Sequence, residues 1–266
     1  MKTRIISAIV MLMIFIPILC IGGEVFSIFM ALLAVAGLYE LLNIRETKKD
    51  FPFLMKVFAY ILVVFFSLRN FTSIEFIGTL DYRIMAFIIF VFLMPMVFIN
   101  NTKKYNLNDA LFLIGSILFI GLSFNLIIII RNFDILYIIY LLLITTLTDT
   151  FALFTGTLVG KHPLAKDISP KKTIEGTLGG LFIGTAVPMI FYHVAINPSL
   201  SLSVLFLITL ILSIVGQIGD LVFSSIKRYY GKKDFSNLIP GHGGILDRMD
   251  SIIFVALATI LFLGII

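Results

Sequence analysis

The sequence predicts an all-α, polytopic integral membrane protein, from its composition and from the spacing of its apolar runs. Hydrophobic residues make up 60% of the 266 residues and charged residues only 13%, about half of the roughly 25% found in soluble domains. Long apolar runs recur along the whole sequence, which lacks the alternating segments of about ten residues that mark a membrane β-barrel. No polar stretch is long enough to bury its own core, so we expect no separate soluble domain.

Nine apolar runs have about the 17–25 residues that a membrane-spanning helix needs. Lipid cannot hydrogen-bond exposed backbone groups, so a helix is the expected spanning form. The first run follows basic residues as a signal peptide would, but no small-residue cleavage site ends it, and we interpret it as a spanning helix. The predicted spans cover residues 5–21, 25–43, 53–68, 84–99, 110–130, 135–156, 177–196, 200–226 and 251–266.

The distribution of Lys and Arg predicts a cytoplasmic N-terminus. With nine spans, 17 of the 20 Lys and Arg residues then lie on the cytoplasmic side, and only Arg69, Arg83 and Arg131 lie outside. This strong positive-inside bias places the polar loops 157–176 and 227–250 on the cytoplasmic face of the cell membrane. We attribute the net charge of +5 to topology and to contact with anionic lipid headgroups, rather than to nucleic acid.

The two halves of the sequence differ in where their polar residues lie. Residues 1–130 are predicted to form N-terminal transmembrane helices with short loops, and Glu40 is the exception among their few internal polar groups. Because Glu40 lies near a helix end, we interpret it as a side chain that snorkels to the interface or pairs with a nearby lysine. Residues 131–266 form a C-terminal transmembrane region that holds nearly all the polar groups within helices, together with the loops 157–176 and 227–250.

Two aspartates lie within predicted spans of the C-terminal region, Asp149 in the sixth span and Asp220 in the eighth. A carboxylate in a membrane helix is costly, so each of them needs polar partners. Around Asp220, helical spacing supplies a polar face made of Gln217, Asp220, Ser224 and Lys227. Such a face indicates a wet cavity inside the helix bundle, and the alternative is that its polar groups only join neighbouring helices.

The loop 227–250 adds cations and a flexible backbone to this polar face. Lys227 and Arg228 end the eighth span. The glycines Gly243 and Gly244 allow backbone N–H groups to approach an anion closely. His242 is expected to hydrogen-bond a phosphate rather than to bind a metal ion.

Carboxylates at the start of the ninth helix complete the predicted site. Asp247 and Asp250 are three residues apart and share one helix face, with Arg248 beside them. Oxygen ligands of this kind suit Mg²⁺, which also binds water and substrate phosphates. The alternative is that both aspartates only stabilise the N-terminus of the helix. The single cysteine, Cys20, excludes a cysteine-based metal cage.

The 27 residues from Ser224 to Asp250 resemble the C-terminal signature of the integral-membrane phosphatidate cytidylyltransferases (CDP-diacylglycerol synthases). A second segment typical of that family is Ser169–Gly176, followed by Gly179 and Gly180, and a looser third is Asp149–Ala152. The residues of the first stretch that match in order and spacing are Ser224, Ile226, Lys227, Arg228, Lys233, Asp234, Ser236, Ile239, Pro240, His242, Gly243, Gly244, Ile245, Asp247, Arg248, Met249 and Asp250.

The resemblance implies an enzyme that transfers CMP from CTP to phosphatidate, giving CDP-diacylglycerol and pyrophosphate for phospholipid biosynthesis. It also implies a divalent cation, expected to be Mg²⁺, and leaves open both a second cation and a homodimer. The selectivity for cytidine rests on the resemblance alone. Because the phosphomonoester of phosphatidate is already largely dianionic near neutral pH, catalysis reduces to positioning and charge neutralisation.

The candidate residues fall into three groups by hypothetical role. The predicted catalytic residues are Asp220, Lys227, Arg228, Asp247, Arg248 and Asp250, of which Asp220, Asp247 and Asp250 would hold one or two metal ions. The predicted substrate-binding residues are Lys171, Lys172, Ser224, Lys233, His242, Gly243 and Gly244. Weaker candidates are Asp149, Asp234 and Glu175. For Lys171 and Lys172 the alternative is a topology signal that contacts anionic lipid.

Two other functions remain open at the level of sequence. The first is an enzyme that uses CTP on a different lipid, such as an isoprenoid phosphate or an ether-linked phosphatidate analogue. The second is an ion-coupled transporter in which Asp149 and Asp220 relay ions. A transporter would not need the clustered cations of the loop 227–250.

Overall fold

The computed structural model describes residues 2–69, 82–99 and 101–262, and almost all of its regular structure is helical. One short two-stranded sheet interrupts the helices between α7 and α8. The helices are α1 Lys2–Ile21, α2 Gly23–Glu46, α3 Phe53–Ser67, α4 Tyr82–Leu93, α5 Pro95–Ile99, α6 Leu107–Phe133, α7 Ile135–Val159, α8 Ile174–Ala195, α9 Leu202–Tyr229 and α10 Leu246–Thr259.

The helices agree with the predicted all-α, multi-pass class. Each predicted span overlaps a helix, the fourth being divided between α4 and α5. The ninth overlaps α10 and the 3₁₀ turn Ile260–Phe262, and its last residues, 263–266, lie outside the described part of the chain. Among the described residues, five helices are long and apolar enough to cross a membrane: α2, α6, α7, α8 and α9. The count of nine and the cytoplasmic N-terminus stay predictions.

The chain forms two compact units, of which the first comprises Met1–Phe133 and Phe235–Ile245. Within it α2, α3 and α6 pack against one another. A buried carboxylate, Asp109 on α6, joins α6 to α2 because it accepts hydrogen bonds from Arg45 (3.0 Å) and from Lys49. This unit therefore contains most of the predicted N-terminal helices and also one segment from the polar loop 227–250.

The second unit comprises Asp134–Asp234 and Leu246–Ile266, and its closest packing lies between α7 and α8. Gly180 on α8 faces α7 so closely that an added Cβ would lie 2.5 Å from the carbonyl oxygen of Thr148 and 2.8 Å from the Cβ of Ala152. Small residues allow such backbone approach in membrane helices. The hydroxyl groups of Thr148 on α7 and Ser213 on α9 form a 2.7 Å hydrogen bond that joins these two helices.

The predicted loop 157–176 contains a hairpin that periodicity did not indicate. Strands β1 (Pro163–Ala165) and β2 (Ser169–Thr173) pair antiparallel, with Pro163 opposite Thr173. These strands are short, polar and interrupted by proline, so they lack the apolar alternation that marks a strand. The Thr173 side chain then caps α8 by accepting a hydrogen bond from the backbone N–H of Gly176 (3.1 Å).

We predict that Gly180→Ala lowers thermal stability, because its new methyl group overlaps α7; overpacking of this kind costs about 1–3 kcal/mol. Gly115→Ala is the matched control, since a Cβ at Gly115 on α6 meets nothing within 4 Å. It should be neutral or slightly stabilising, because alanine favours a helix over glycine. Thermal unfolding in detergent measures both variants. Equal stability of the two would contradict the close packing of α8 on α7.

Candidate active site

A cavity of about 770 Å³ with many charged side chains in its wall lies in the second unit, and every residue that lines it belongs to that unit. Three helices, the hairpin and the segment after α9 contribute its charged side chains. Those among the predicted candidates are Asp149 from α7, Lys171 and Lys172 from β2, Asp220 and Lys227 from α9, Asp234 from the segment after α9, and Asp247, Arg248 and Asp250 from α10. The fold thus brings together residues that lie up to about a hundred positions apart.

Carboxylates from three different helices face this cavity. Asp149 and Asp250 both lie close enough to Asp220 to repel it electrostatically. Hydroxyl groups orient two of these carboxylates: Ser224 donates to Asp220 (3.3 Å) and Ser251 donates to Asp149 (3.3 Å). Ser224 thus supports Asp220 and is not itself a lining residue. Carboxylates that repel one another in this way favour the binding of a cation among them.

Two lysines neutralise part of this negative charge. The ammonium group of Lys172 lies 2.6 Å from Asp220, and both side chains are about one quarter exposed. The ammonium group of Lys227 lies 2.7 Å from Asp247, and these side chains are only 10% and 2% exposed. The helical face predicted from Asp220 to Lys227 is therefore present, and it ends on a buried ion pair.

The hairpin reaches the cavity because its base is fixed to α8. Glu175, in the first turn of α8, accepts hydrogen bonds from the backbone N–H groups of Lys161 (3.0 Å) and His162 (3.2 Å). Glu175 does not line the cavity. Its position favours a structural role, in which it fixes the residues that lead into β1, the partner of the strand that carries Lys171 and Lys172.

Several predicted residues lie outside the cavity. Arg228 follows Lys227 by one position on α9, and that step turns its side chain by about 100° around the helix axis. Its guanidinium group donates to the backbone oxygens of Ile168 (3.2 Å) and Lys232 (2.8 Å). Lys233 is exposed and is not a lining residue. His242, Gly243 and Gly244 belong to the first unit, so their predicted contact with phosphate stays a prediction.

Small and neutral residues that the charge pattern could not reveal complete the cavity wall. They leave room between the charged side chains; the lining residues of this kind are Ala152, Leu153, Gly156, Thr157, Thr173, Thr177 and Gln217. Gln217 had a sequence signal, because it shares the helical face of Asp220. Its amide group donates to the backbone oxygen of Thr177 (3.2 Å) and so joins α9 to α8.

The donor atoms of the cavity fit a hard divalent cation that substrates help to bind. Among the described residues, no group of three or more His, Cys, Asp or Glu side chains is arranged to hold a metal ion by itself. Mg²⁺ usually takes one or two carboxylates and fills its other positions with water and substrate phosphates. The carboxylates of Asp149, Asp220 and Asp250 supply ligands of this chemistry in a cavity with room for phosphates.

Comparison with known proteins gives one consistent result. A model of the cytidylyltransferase family matches residues 2–266. A curated protein from Staphylococcus haemolyticus (strain JCSC1435) is 38% identical over 256 residues, 96% of each chain, and is named phosphatidate cytidylyltransferase. A protein of the same name from Staphylococcus aureus (strain COL) is 39% identical over 267 residues, again 96% of each chain.

We predict that Lys227→Met destabilises the protein because it leaves the carboxylate of Asp247 buried without its ammonium partner. Breaking one side of a buried ion pair typically costs about 3–5 kcal/mol. The double variant Lys227→Met with Asp247→Leu should recover much of this loss, and Lys232→Met, at an exposed position, is the control. Thermal unfolding in detergent compares these three variants with Asp247→Leu alone and with the unchanged protein. Additive losses in the double variant would show that the two residues do not act as a pair.

Proposed function

The chain belongs to the cytidylyltransferase family and is a nucleotidyltransferase, and from this premise we propose that it transfers CMP from CTP to phosphatidate. The products are CDP-diacylglycerol and pyrophosphate. The observation that best supports this proposal is that Asp149, Asp220 and Asp250 line one cavity together with lysines. Such a cavity can accept phosphate groups through its cations and a metal ion through its carboxylates.

In the proposed reaction, an oxygen of the lipid phosphate attacks the α-phosphorus of CTP. A new P–O bond forms there, the bond from the α-phosphorus to the bridging oxygen of the β-phosphate breaks, and pyrophosphate leaves with its electron pair. The attacking phosphomonoester is largely dianionic near neutral pH, so it needs no strong general base. The protein has to bring two anions together and to stabilise the negative charge that the leaving group gains.

Cationic side chains of the cavity are proposed to bind both phosphate-bearing substrates. Lys171 and Lys172 lie on the hairpin, while Lys227 and Arg248 lie on α9 and α10. Because these cations come from separate elements, they can contact different phosphates of a triphosphate and a lipid headgroup. Lys172 would exchange its carboxylate partner Asp220 for a phosphate when the nucleotide binds.

The carboxylates are proposed to hold Mg²⁺. Asp220, Asp247 and Asp250 are the proposed ligands, and Asp149 is a further candidate. When bound, Mg²⁺ supplies positive charge that stabilises the departing pyrophosphate. Asp247 would contribute through its carboxylate group, which Lys227 also contacts. A second cation is left open.

The proposed location is the cytoplasmic face of the cell membrane. Phosphatidate reaches the cavity from the bilayer, CTP arrives from the cytosol, and basic residues contact anionic headgroups. Arg228 and Lys233 are proposed to attract anions from outside the cavity. His242, Gly243 and Gly244 are proposed to contact the leaving pyrophosphate.

We predict that Asp220→Asn lowers the rate of CDP-diacylglycerol formation by at least about 100-fold, a loss typical for removal of a key electrostatic group. Asp167→Asn is the matched control, because Asp167 is exposed on the hairpin and does not line the cavity. It should retain near-normal activity. The assay follows radiolabelled CTP into lipid in detergent–phosphatidate mixed micelles at several Mg²⁺ concentrations. Normal turnover with a normal Mg²⁺ dependence in Asp220→Asn would remove Asp220 from the metal site.

We predict that the purified protein releases pyrophosphate from CTP only when phosphatidate and a divalent cation are both present. Chelation by EDTA should abolish the release, and excess Mg²⁺ should restore it. An isoprenoid phosphate and an ether-linked phosphatidate analogue serve as competing lipids in parallel reactions. Preference for either of these lipids, or no release with any lipid, would refute phosphatidate as the substrate.

A further inference from the structure

The segment Phe235–Ile245, between α9 and α10, forms a tight turn within the first unit. The backbone N–H of Ile239 donates to the carbonyl oxygen of Gly243 (2.8 Å), and the N–H of His242 donates back to Ile239 (2.9 Å). Gly241 and Gly243 have positive φ values of 77° and 84°, which favour glycine. The turn thus has a defined shape at its tip.

A buried carboxylate holds the two ends of this segment together. Glu40 on α2 is 0% exposed, so it does not snorkel to the membrane interface as its place in the sequence suggested. Its Oε1 atom accepts a hydrogen bond from the hydroxyl group of Ser236 (2.7 Å) and another from the backbone N–H of Ile245 (2.8 Å). One side chain of α2 therefore contacts the first part of the segment and its last residue.

The same carboxylate explains why residue 244 is a glycine. A Cβ built on Gly244 would overlap the carboxylate of Glu40, with its Cδ atom only 2.6 Å away. Gly244 is not among the glycines with positive φ, so its backbone would allow alanine if space permitted. The requirement at this position comes from the approach of Glu40.

We propose that Glu40 is a positioning residue, whose carboxylate fixes the ends of the Phe235–Ile245 segment and thereby the chain that leads to Asp234 and Asp247. Asp234 precedes Ser236 by two residues, and Asp247 follows Ile245 by two residues. Both aspartates line the cavity, so a loss of order at either end of the segment reaches a site residue through the backbone. The kinetic consequence rests on the proposed function, whereas the anchoring of the segment does not.

Two variants of Glu40 separate its acceptor role from its size. Glu40→Ala removes the acceptor of both hydrogen bonds, and amide hydrogen exchange around Ile245 should become at least about tenfold faster. The kcat/KM for CTP should fall by about tenfold or more, since ordering the segment is then left to substrate binding. Glu40→Gln keeps an oxygen that can accept both hydrogen bonds. It should stay within about threefold of the unchanged protein in both measurements.

Asp109→Ala is the matched control for the loss of a buried carboxylate. Asp109 lies in the same unit, is 1% exposed, and contacts Arg45 and Lys49. Its removal should lower the unfolding temperature, while hydrogen exchange in the Phe235–Ile245 segment and the KM for CTP stay unchanged. A general loss of packing therefore lowers the unfolding temperature without faster exchange in this segment, whereas loss of the Glu40 contacts makes that exchange faster.

A second pair of variants tests the contact between Glu40 and Gly244. Gly244→Ala alone should speed amide hydrogen exchange at Ile245 by about tenfold, because the methyl group displaces the carboxylate. In the Glu40→Ala background the same substitution should not speed this exchange further, because the carboxylate is absent. An equal increase in both backgrounds would mean that Gly244 orders the segment independently of Glu40, and the proposal would fall.

Hydrogen exchange, measured without any substrate, tests whether Glu40 anchors the segment. Unchanged exchange from Ser236 to Ile245 in Glu40→Ala overturns the proposal, as does a Glu40→Gln variant that is as impaired as Glu40→Ala. If the unchanged protein does not form CDP-diacylglycerol, the proposed function fails. The exchange result then still decides whether Glu40 anchors the segment.

Discussion

Ionised side chains among apolar helices need partners, and this constraint determines much of the described structure. Leaving such a charge unpaired in a medium of low dielectric constant costs several kcal/mol, so the fold provides a partner or an opening to water. Asp109 lies against Arg45 and Lys49 in the first unit, and Asp247 lies against Lys227 in the second. The pairs Asp109–Arg45 and Asp247–Lys227 each join two different helices, so each fixes how those helices pack as well as compensating a charge.

The ion pairs differ in how readily their members can exchange partners. Lys227 and Asp247 are 10% and 2% exposed, on two helices, so their separation would leave charges buried. Lys172 and Asp220 are 25% and 26% exposed, and Lys172 lies on a short hairpin. Water can solvate both of these groups when they part, and an arriving phosphate or metal ion offers each a new partner. The exposed pair is thus suited to ligand exchange.

Sequence predicted the features that the membrane environment dictates and missed those set by distant contacts. The helices followed from apolar length, and the face from Asp220 to Lys227 followed from the 3.6-residue period. The hairpin carried no such signal, because its strands are too short for alternation. Local sequence pattern also could not predict that Glu40 accepts a hydrogen bond from Ser236, which lies 196 positions away. A single acid near a helix end equally suggests a charge at the membrane interface.

The glycine at position 244 can be explained by either of two neighbours, a substrate phosphate or the carboxylate of Glu40. Beside a histidine and a second glycine, it suggests close approach of the backbone to a phosphate, as the sequence predicted. Its φ value does not require glycine, and the atoms that fill the place of a Cβ belong to Glu40. Position 243 has a φ of 84°, a backbone conformation that favours glycine. The two adjacent positions thus require glycine for different reasons, one for its backbone conformation and the other for lack of space for a side chain. The space around a glycine must therefore be known before a role in binding is assigned to it.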